Sequence, residues 1–369
     1  MPDRLSDPVQ VKWRIPLSGD GVGGIAATRR FVIVSDRELD DSVDVFRCLK
    51  TENGDEVWAL RYPTNGKLDF GNSPRGTPLI VGDTVALCGA HGDVNVVKLE
   101  TGEILWTKQL RTEFEMTAKL PWGFCASPLL SGNHLILNPG GRKGFLAACS
   151  LATGDTAWSS PGTAASYGSF LEGVFGGKRQ IVGYDADSLG GWDPATGKRL
   201  WRLKPPKAND FNVPTPLAVG DMLLVTTENN GTRLYGFDPH GVIIPEPLAH
   251  QRDLAPDTHT PVAIGRKVFG VWNDLYCLDA GQKLKTLWTG AHPGFTNYAS
   301  LIASEHRLLA TTMEGEILLI DATGDKFKLL GEWKVFEDER GVYSHPAARR
   351  LEALSPRHEF PRLPGPGPQ

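Results

Sequence analysis

Along most of this chain the apolar residues fall in short β-branched runs separated by glycine turns. One stretch shows the plan: Thr77-Pro78-Leu79-Ile80-Val81, Thr84-Val85-Ala86-Leu87-Cys88, Val94-Asn95-Val96-Val97-Lys98-Leu99, then Ile104-Leu105-Trp106-Thr107. Such runs suit half-buried strands and are too short for helices. Turn phrases such as Val219-Gly220-Asp221 and Ser131-Gly132-Asn133 separate the first two runs of a unit. Their glycines supply the positive φ that tight hairpins require. No sustained 3.6-residue period appears, so a stack of helix pairs is excluded.

A longer phrase recurs over this alternation: a strand-like run, a Thr-Gly turn, three residues, then Trp. Clear copies are Leu99-Glu100-Thr101-Gly102 to Trp106, Leu151-Ala152-Thr153-Gly154 to Trp158, and Asp193-Pro194-Ala195-Thr196-Gly197 to Trp201; Asn53-Gly54 to Trp58 is a variant. Weaker copies stand at Asp238-Pro239-His240-Gly241, at Asp279-Ala280-Gly281 before Trp288, and at Asp321-Ala322-Thr323-Gly324 before Trp333. The tryptophans recur at the roughly 40- to 50-residue spacing of four-stranded propeller blades, and the interval from Trp201 to Trp288 is about twice that. Trp13, flanked by Val11-Lys12 and Arg14-Ile15, begins the count and brings it to eight units. The expected fold is therefore an all-β, eight-bladed β-propeller of four-stranded antiparallel blades. Each Trp is expected between neighbouring blades, where burying its ring contributes roughly 2–3 kcal/mol.

The Asp-x-x-Thr-Gly-x-x-x-Trp phrase resembles the PQQ-like, quinoprotein-type repeat, found in quinoprotein dehydrogenases and in BamB-like outer-membrane assembly factors of bacteria. The resemblance runs from Val11 to about Pro346. The strings Gly71-Asn72-Ser73-Pro74-Arg75-Gly76-Thr77-Pro78 and Tyr184-Asp185-Ala186-Asp187-Ser188-Leu189-Gly190-Gly191-Trp192 look like those of exported bacterial propellers of this kind. The resemblance implies fold more strongly than chemistry. The dehydrogenases of the family use an adjacent Cys-Cys disulfide, a Ca²⁺ held by acidic and amide side chains, and an Asp base. This sequence has no Cys-Cys, no C-x-x-C-H haem attachment and no matching Glu/Asn/Asp set. PQQ with calcium thus has no motif to hold it, no cofactor is expected, and a non-catalytic binding or scaffold module is favoured over a quinoprotein dehydrogenase.

The ends complicate closure. Trp13 has no turn before it, so it reads as the fourth strand of a blade whose first three strands come from the C-terminus, a closure that removes free sheet edges. Val342-Tyr343-Ser344-His345-Pro346 begins that contribution in the manner of Thr258-His259-Thr260-Pro261. Residues 347–369 then carry five Pro, four Arg and no alternating apolar run. The expected organisation is an N-terminal extension over 1–10, the propeller over 11–346 with its last blade incomplete, and a disordered Pro/Arg-rich tail over 347–369. The natural chain is expected to be truncated or read out of frame after Pro346, and the N-terminus to be incomplete too. As written, residues 1–10 lack the apolar centre of a signal peptide, which implies the cytoplasm; a longer N-terminus implies export to the periplasm.

Composition narrows the partners. The formal net charge of -4 gives no electrostatic ground for nucleic acid or an anionic membrane, and no apolar run is long enough to span a bilayer. The 42 Gly and 27 Pro fit a turn-rich monomeric propeller. Cys48, Cys88, Cys125, Cys149 and Cys277 are dispersed and read as small buried hydrophobes.

In a propeller, the loops leading into each first strand and the turns between second and third strands share one face; the Thr-Gly turns lie on the other. The lead-in loops offer Asn72, Arg75, Trp122, Tyr167, Asn212, His259, Asn297 with Tyr298, and Tyr343 with His345. The second-to-third turns add Asn138, Arg142, Asp185, Asp187 and Glu228-Asn229-Asn230. Asn72, Arg75, Trp122, Tyr167, Asn212, Asn230, His259 and Tyr298 are the candidate ligand-binding set, suited to a protein, peptide or carbohydrate partner through stacking and amide hydrogen bonds. The competing reading of each Asn, Ser or Thr is a loop residue paired with its own backbone. Gly19-x-Gly21-x-x-Gly24 lacks the βαβ setting of a dinucleotide site and reads as a glycine-rich loop. Asp36, Glu38, Asp40, Asp41 and Asp44 lack calcium-loop spacing and read as a solvated hairpin. Histidines show no metal-ligand spacing, so no metal site is expected.

Overall fold

The computed structural model describes residues 1, 3–5, 9–19, 21–208, 210, 212–336 and 341–347. Among them lie seven four-stranded antiparallel sheets, each with its strands in chain order. We call them blades 1 (26–63), 2 (79–109), 3 (129–160), 4 (171–203), 5 (217–251), 6 (262–290) and 7 (299–334). Blade 2 is made of Leu79–Val81, Thr84–Cys88, Asp93–Lys98 and Ile104–Gln109, close to the runs read from the sequence. Thr77 and Pro78 fall outside its first strand: the Thr77 amide bonds across to Ser127 Oγ at 2.9 Å, and proline has no N–H to give a ladder.

The repeated Trp settles between blades by one local device. In blades 1, 2, 3, 4, 6 and 7 the ladder between third and fourth strands slips by one residue at the same point. Just before the slip stand Trp58, Trp106, Trp158, Trp201 and Trp288, paired with the small or slender Cys48, Val96, Ala148, Gly191 and Cys277. The extra residue twists the strand and turns the ring onto the next blade. Trp58 thereby packs with Val85, Leu87, Val97 and Leu99 of blade 2, and its indole N–H donates to the Leu99 carbonyl at 2.9 Å. Trp106 does the same to Leu151 O at 2.8 Å and Trp158 to Pro194 O at 3.1 Å. The turn glycine of the receiving blade lies flat on that ring: a Cβ on Gly102, whose φ is +72°, would stand 2.7 Å from Trp58.

Three departures follow from weaker copies of the phrase. Trp201 donates instead to Gln180 at 2.6 Å, and Gln180 passes the contact to Gly241 O at 2.7 Å, because the turn before Gly241 is of another shape. Blade 5 has no Trp, and its Phe237 reaches back to stack on Phe175 at 4.8 Å. In blade 7 the insertion after Gly324 places Gly331, not Trp333, at the slip, opposite Leu319; Trp333 sits two pairs further along, opposite Ile317, and Leu5 covers Gly331.

The eighth position is only partly built. Trp13 donates to Thr51 O at 3.0 Å and lies on Gly54, as a fourth-strand Trp of a preceding blade would. Val342 N–H bonds to Met313 O of blade 7 at 2.8 Å, and the Ile25 amide bonds to His345 O at 3.1 Å, so residues 342–345 bridge blades 7 and 1 where an innermost strand belongs. No strand is assigned among the described residues of either segment. The tail expected over 347–369 lies, from 348 on, outside the described residues.

The acidic hairpin differs from its expectation. Asp36 and Asp44 are buried, and Arg37, buried as well, ion-pairs with Asp41 and Asp44 while donating to Thr64 Oγ1 at 2.7 Å. Burial outweighs the pull of Arg37 and pushes the Asp44 carboxyl up to about 6.

Candidate binding site at the channel mouth

Turn-to-turn bonds such as Leu99 N–H to Asp83 O and Leu151 N–H to Asn133 O put the glycine hairpins and Thr-Gly turns on one face. The lead-in loops take the other. There the chain forms a ladder of hydroxyls: the amides of Thr77, Ser127, Ser169 and Thr215 donate to the side-chain oxygens of Ser127, Ser169, Thr215 and Thr260, at 2.9, 3.0, 3.2 and 3.0 Å. Each rung satisfies an amide left free before a first strand and fixes one loop against the next. Ser300, the corresponding residue of blade 7, has a buried hydroxyl with no partner.

Above this ladder opens a cavity of about 360 Å³. Five of the eight sequence candidates meet in its wall: Arg75, Trp122, Tyr167, His259 and Tyr298. The rings of Trp122 and Tyr167 lie 4.6 Å apart, those of His259 and Tyr298 5.4 Å, and those of Tyr298 and Tyr343 6.0 Å. Arg75 braces the wall: its guanidinium Nε bonds to the Trp122 carbonyl (2.6 Å) and its Nη2 to the carbonyls of Asp69 (2.6 Å) and Gly71 (2.8 Å), tying two lead-in loops together.

Asn72, Asn212 and Asn230 do not join them. Asn72 is buried, accepting from Leu68 N–H at 2.9 Å and donating to Asp41. Asn212 is buried at φ +52°, a left-handed conformation that Asn tolerates, and its carbonyl accepts from Gly168 at 2.9 Å. Asn230 accepts from Lys207 N–H at 2.8 Å, donates to Lys207 O at 3.0 Å and also bonds Asp210. All three organise loops.

The wall also holds residues the sequence reading passed over, chiefly Phe70, Cys125, Asp257 and Ser300. Asp257 stands two residues before His259 in the same lead-in loop, where a residue-by-residue reading of every loop finds it. Phe70 is 78% exposed at the rim, with φ +61°, and its ring lies 6.5 Å from Trp122. A large apolar side chain held outward in a left-handed conformation is a costly placement.

The chemistry of the wall is quiet. Burial drives the His259 imidazole down to about 4, and its Nε2 is engaged as acceptor of the Ala299 amide at 2.8 Å. Burial pushes the Cys125 thiol up to about 11, and it donates to Trp122 O at 3.3 Å. A quinone with calcium asks for several acidic and amide oxygens around one point and a vicinal disulfide. The wall offers one carboxylate, Asp257, no amide side chain and one thiol, so its donor set does not fit that pair. Elsewhere, His292, Glu316 and Glu332 bring ligand atoms within 4.8 Å of one another. There His292 Nδ1 accepts the Gly294 amide at 3.1 Å, which puts its remaining proton on Nε2, facing Glu332 at 3.6 Å, and leaves no lone pair for a metal.

With this geometry in place, comparison with known proteins is decisive for the family. The profile described as outer membrane protein assembly factor BamB matches residues 9–121 and 142–244, more than half of the chain. The chain belongs to this family of PQQ-like repeat propellers. No curated protein sequence matches it. Among solved structures, BamB from Moraxella catarrhalis superposes with a TM-score of 0.55 at 18% identity, covering 80% of this chain and 82% of that one. The computationally designed Ika8 protein gives 0.63 at 13%, covering 89% and 91%, and quinohemoprotein alcohol dehydrogenase from Comamonas testosteroni 0.61 at 12%, covering 89% and 68%. At these identities the likeness to each structure is one of fold. Among the described residues of this PQQ-like propeller, no helix is long and apolar enough to cross a membrane.

Proposed function

We propose that this PQQ-like propeller is a non-catalytic binding module whose channel mouth receives a segment of a partner protein. The observation that carries the reading is convergence: Phe70, Trp122, Tyr167, Tyr298 and Tyr343 come from five separate lead-in loops and line one cavity. Aromatic side chains already positioned by the fold reduce the ordering cost of holding a peptide. A carbohydrate, the other occupant suited to stacking, asks for more hydrogen-bonding groups than this largely apolar wall presents. The thiol and imidazole of the wall do not make a nucleophile–base pair, since Cys125 is held protonated and His259 Nε2 is engaged. The family profile is described for an assembly factor, which agrees with a partner-binding role. Sharing that role would place the protein in the periplasm.

Trp122→Ala combined with Tyr298→Ala is expected to abolish peptide capture while leaving the melting temperature within a few degrees. Added PQQ and Ca²⁺ are expected to separate from the protein on gel filtration. Co-elution of the quinone absorbance together with dye-linked alcohol oxidation would overturn the reading.

A further inference from the structure

Three polar groups in the cavity wall have capacity that the protein does not use, and they lie together on one side. Asp257 receives only Thr258 Oγ1 at 3.2 Å and the Tyr298 hydroxyl at 3.4 Å, and among the described residues no basic side chain pairs with it. His259 Nδ1 is buried without a hydrogen-bond partner, with the Val271 backbone near enough to favour the protonated ring slightly. With Nε2 accepting from Ala299, the ring proton is on Nδ1, so this atom offers a donor. Ser300 Oγ, next along the strand from Ala299, is the third. Buried polar atoms left unpaired are costly and are commonly satisfied by a ligand.

The pattern specifies the occupant. It must bring a strong donor to Asp257, an acceptor to His259 Nδ1–H, and an apolar or flat body for the aromatic walls. We propose that the channel mouth is a receptor for a basic side chain, lysine or arginine, presented by an extended segment of a partner protein, with the cation at Asp257 beside the Tyr298 and Tyr343 rings and a neighbouring main-chain carbonyl at His259 Nδ1. The aliphatic stem of such a side chain covers apolar wall while its charge meets carboxylate and ring faces. The only other charged group in the wall, Arg75, belongs to the lead-in loop of blade 2, four places round the ring from Asp257, and it steers a cation to the Asp257 side. A sugar supplies hydroxyls but no charge for the carboxylate, and is left as an outcome of the test.

This inference rests on the binding-module reading, and one experiment separates their failures. Four pools of fluorescein-labelled, end-capped heptapeptides carry Lys, Arg, norleucine or Glu at the centre and mixed apolar residues around it; fluorescence anisotropy is read for the wild type, Asp257→Asn and Trp122→Ala, each checked for folding by its melting transition. The Lys and Arg pools are expected to bind wild type at least about tenfold more tightly than norleucine, as a charge-assisted bond requires. Asp257→Asn is expected to erase that preference, Asp257→Glu to restore part of it, and Trp122→Ala to weaken all pools. Equal binding of norleucine, or a preference that survives Asp257→Asn, overturns the cation assignment while leaving the binding module standing. Binding of maltotriose in place of every pool overturns the peptide assignment. No binding of any pool or of the sugar overturns both.

Discussion

His259 shows how one residue changes meaning once its neighbours are known. In the sequence it is a histidine in a loop; in the fold, Ala299 N–H fixes its tautomer and burial depresses its basicity to about 4 from a model-peptide value of 6.5. A histidine with a lowered folded-state value stabilises the fold fully above pH 6.5, and that contribution is lost as pH falls through 6.5 toward 4. Urea titrations are expected to lose about 2–3 kcal/mol over that interval, and His259→Gln, which keeps an acceptor for Ala299, to flatten the loss. Cys125 is expected to react with iodoacetamide far more slowly at pH 8 than a free thiol, because burial keeps it protonated. The three asparagines Asn72, Asn212 and Asn230 were legible as loop residues but not as inward or outward facing. An amide that caps a loop and one that meets a ligand carry the same letter, and only the neighbouring loop, remote in sequence, decides between them.

At the scale of elements, the repeated phrase was legible because it encodes contacts local to one turn and one strand. Gly102 and Trp58 belong to different blades, yet the turn-and-Trp phrase, repeated in successive blades, writes the contact between them. Gly102→Ala is expected to cost more than about 2 kcal/mol, through both a left-handed alanine and the ring 2.7 Å away. Gly82→Ala meets nothing within 4 Å at φ +59° and is expected to cost only about 1 kcal/mol, so the difference in denaturation midpoints isolates the ring contact. Trp106→Ala is expected to cost about 3–5 kcal/mol, and Trp333→Ala, off the slip and half-buried, clearly less. Trp333 was not legible for what it is: an insertion of a few residues after Gly324 moves the Trp two pairs away from the slip, and spacing alone does not say which residue the bulge receives.

For the whole molecule, the repeat count placed eight units on a ring, and the sheets fill seven places, with Trp13 and residues 342–345 marking the eighth. The ring brings lead-in loops from sequence positions as distant as 70 and 343 to one cavity, which is why the aromatic wall could be guessed from topology while its polar corner at Asp257 and Ser300 could not. The hydroxyl ladder fixes that corner: it runs unbroken from Thr77 to Thr260 and leaves Ser300 unpaired, a relation visible only when blades are side by side. This face, and not the face of the Thr-Gly turns, is expected to meet the partner. A photo-cross-linking amino acid placed at Tyr343 on the channel mouth, and separately at Thr153 on the turn face, tests it in cells of the source organism. Discrete cross-linked products are expected from Tyr343, lost when Trp122→Ala is added, and none from Thr153; products from Thr153 alone would place the partner on the turn face instead.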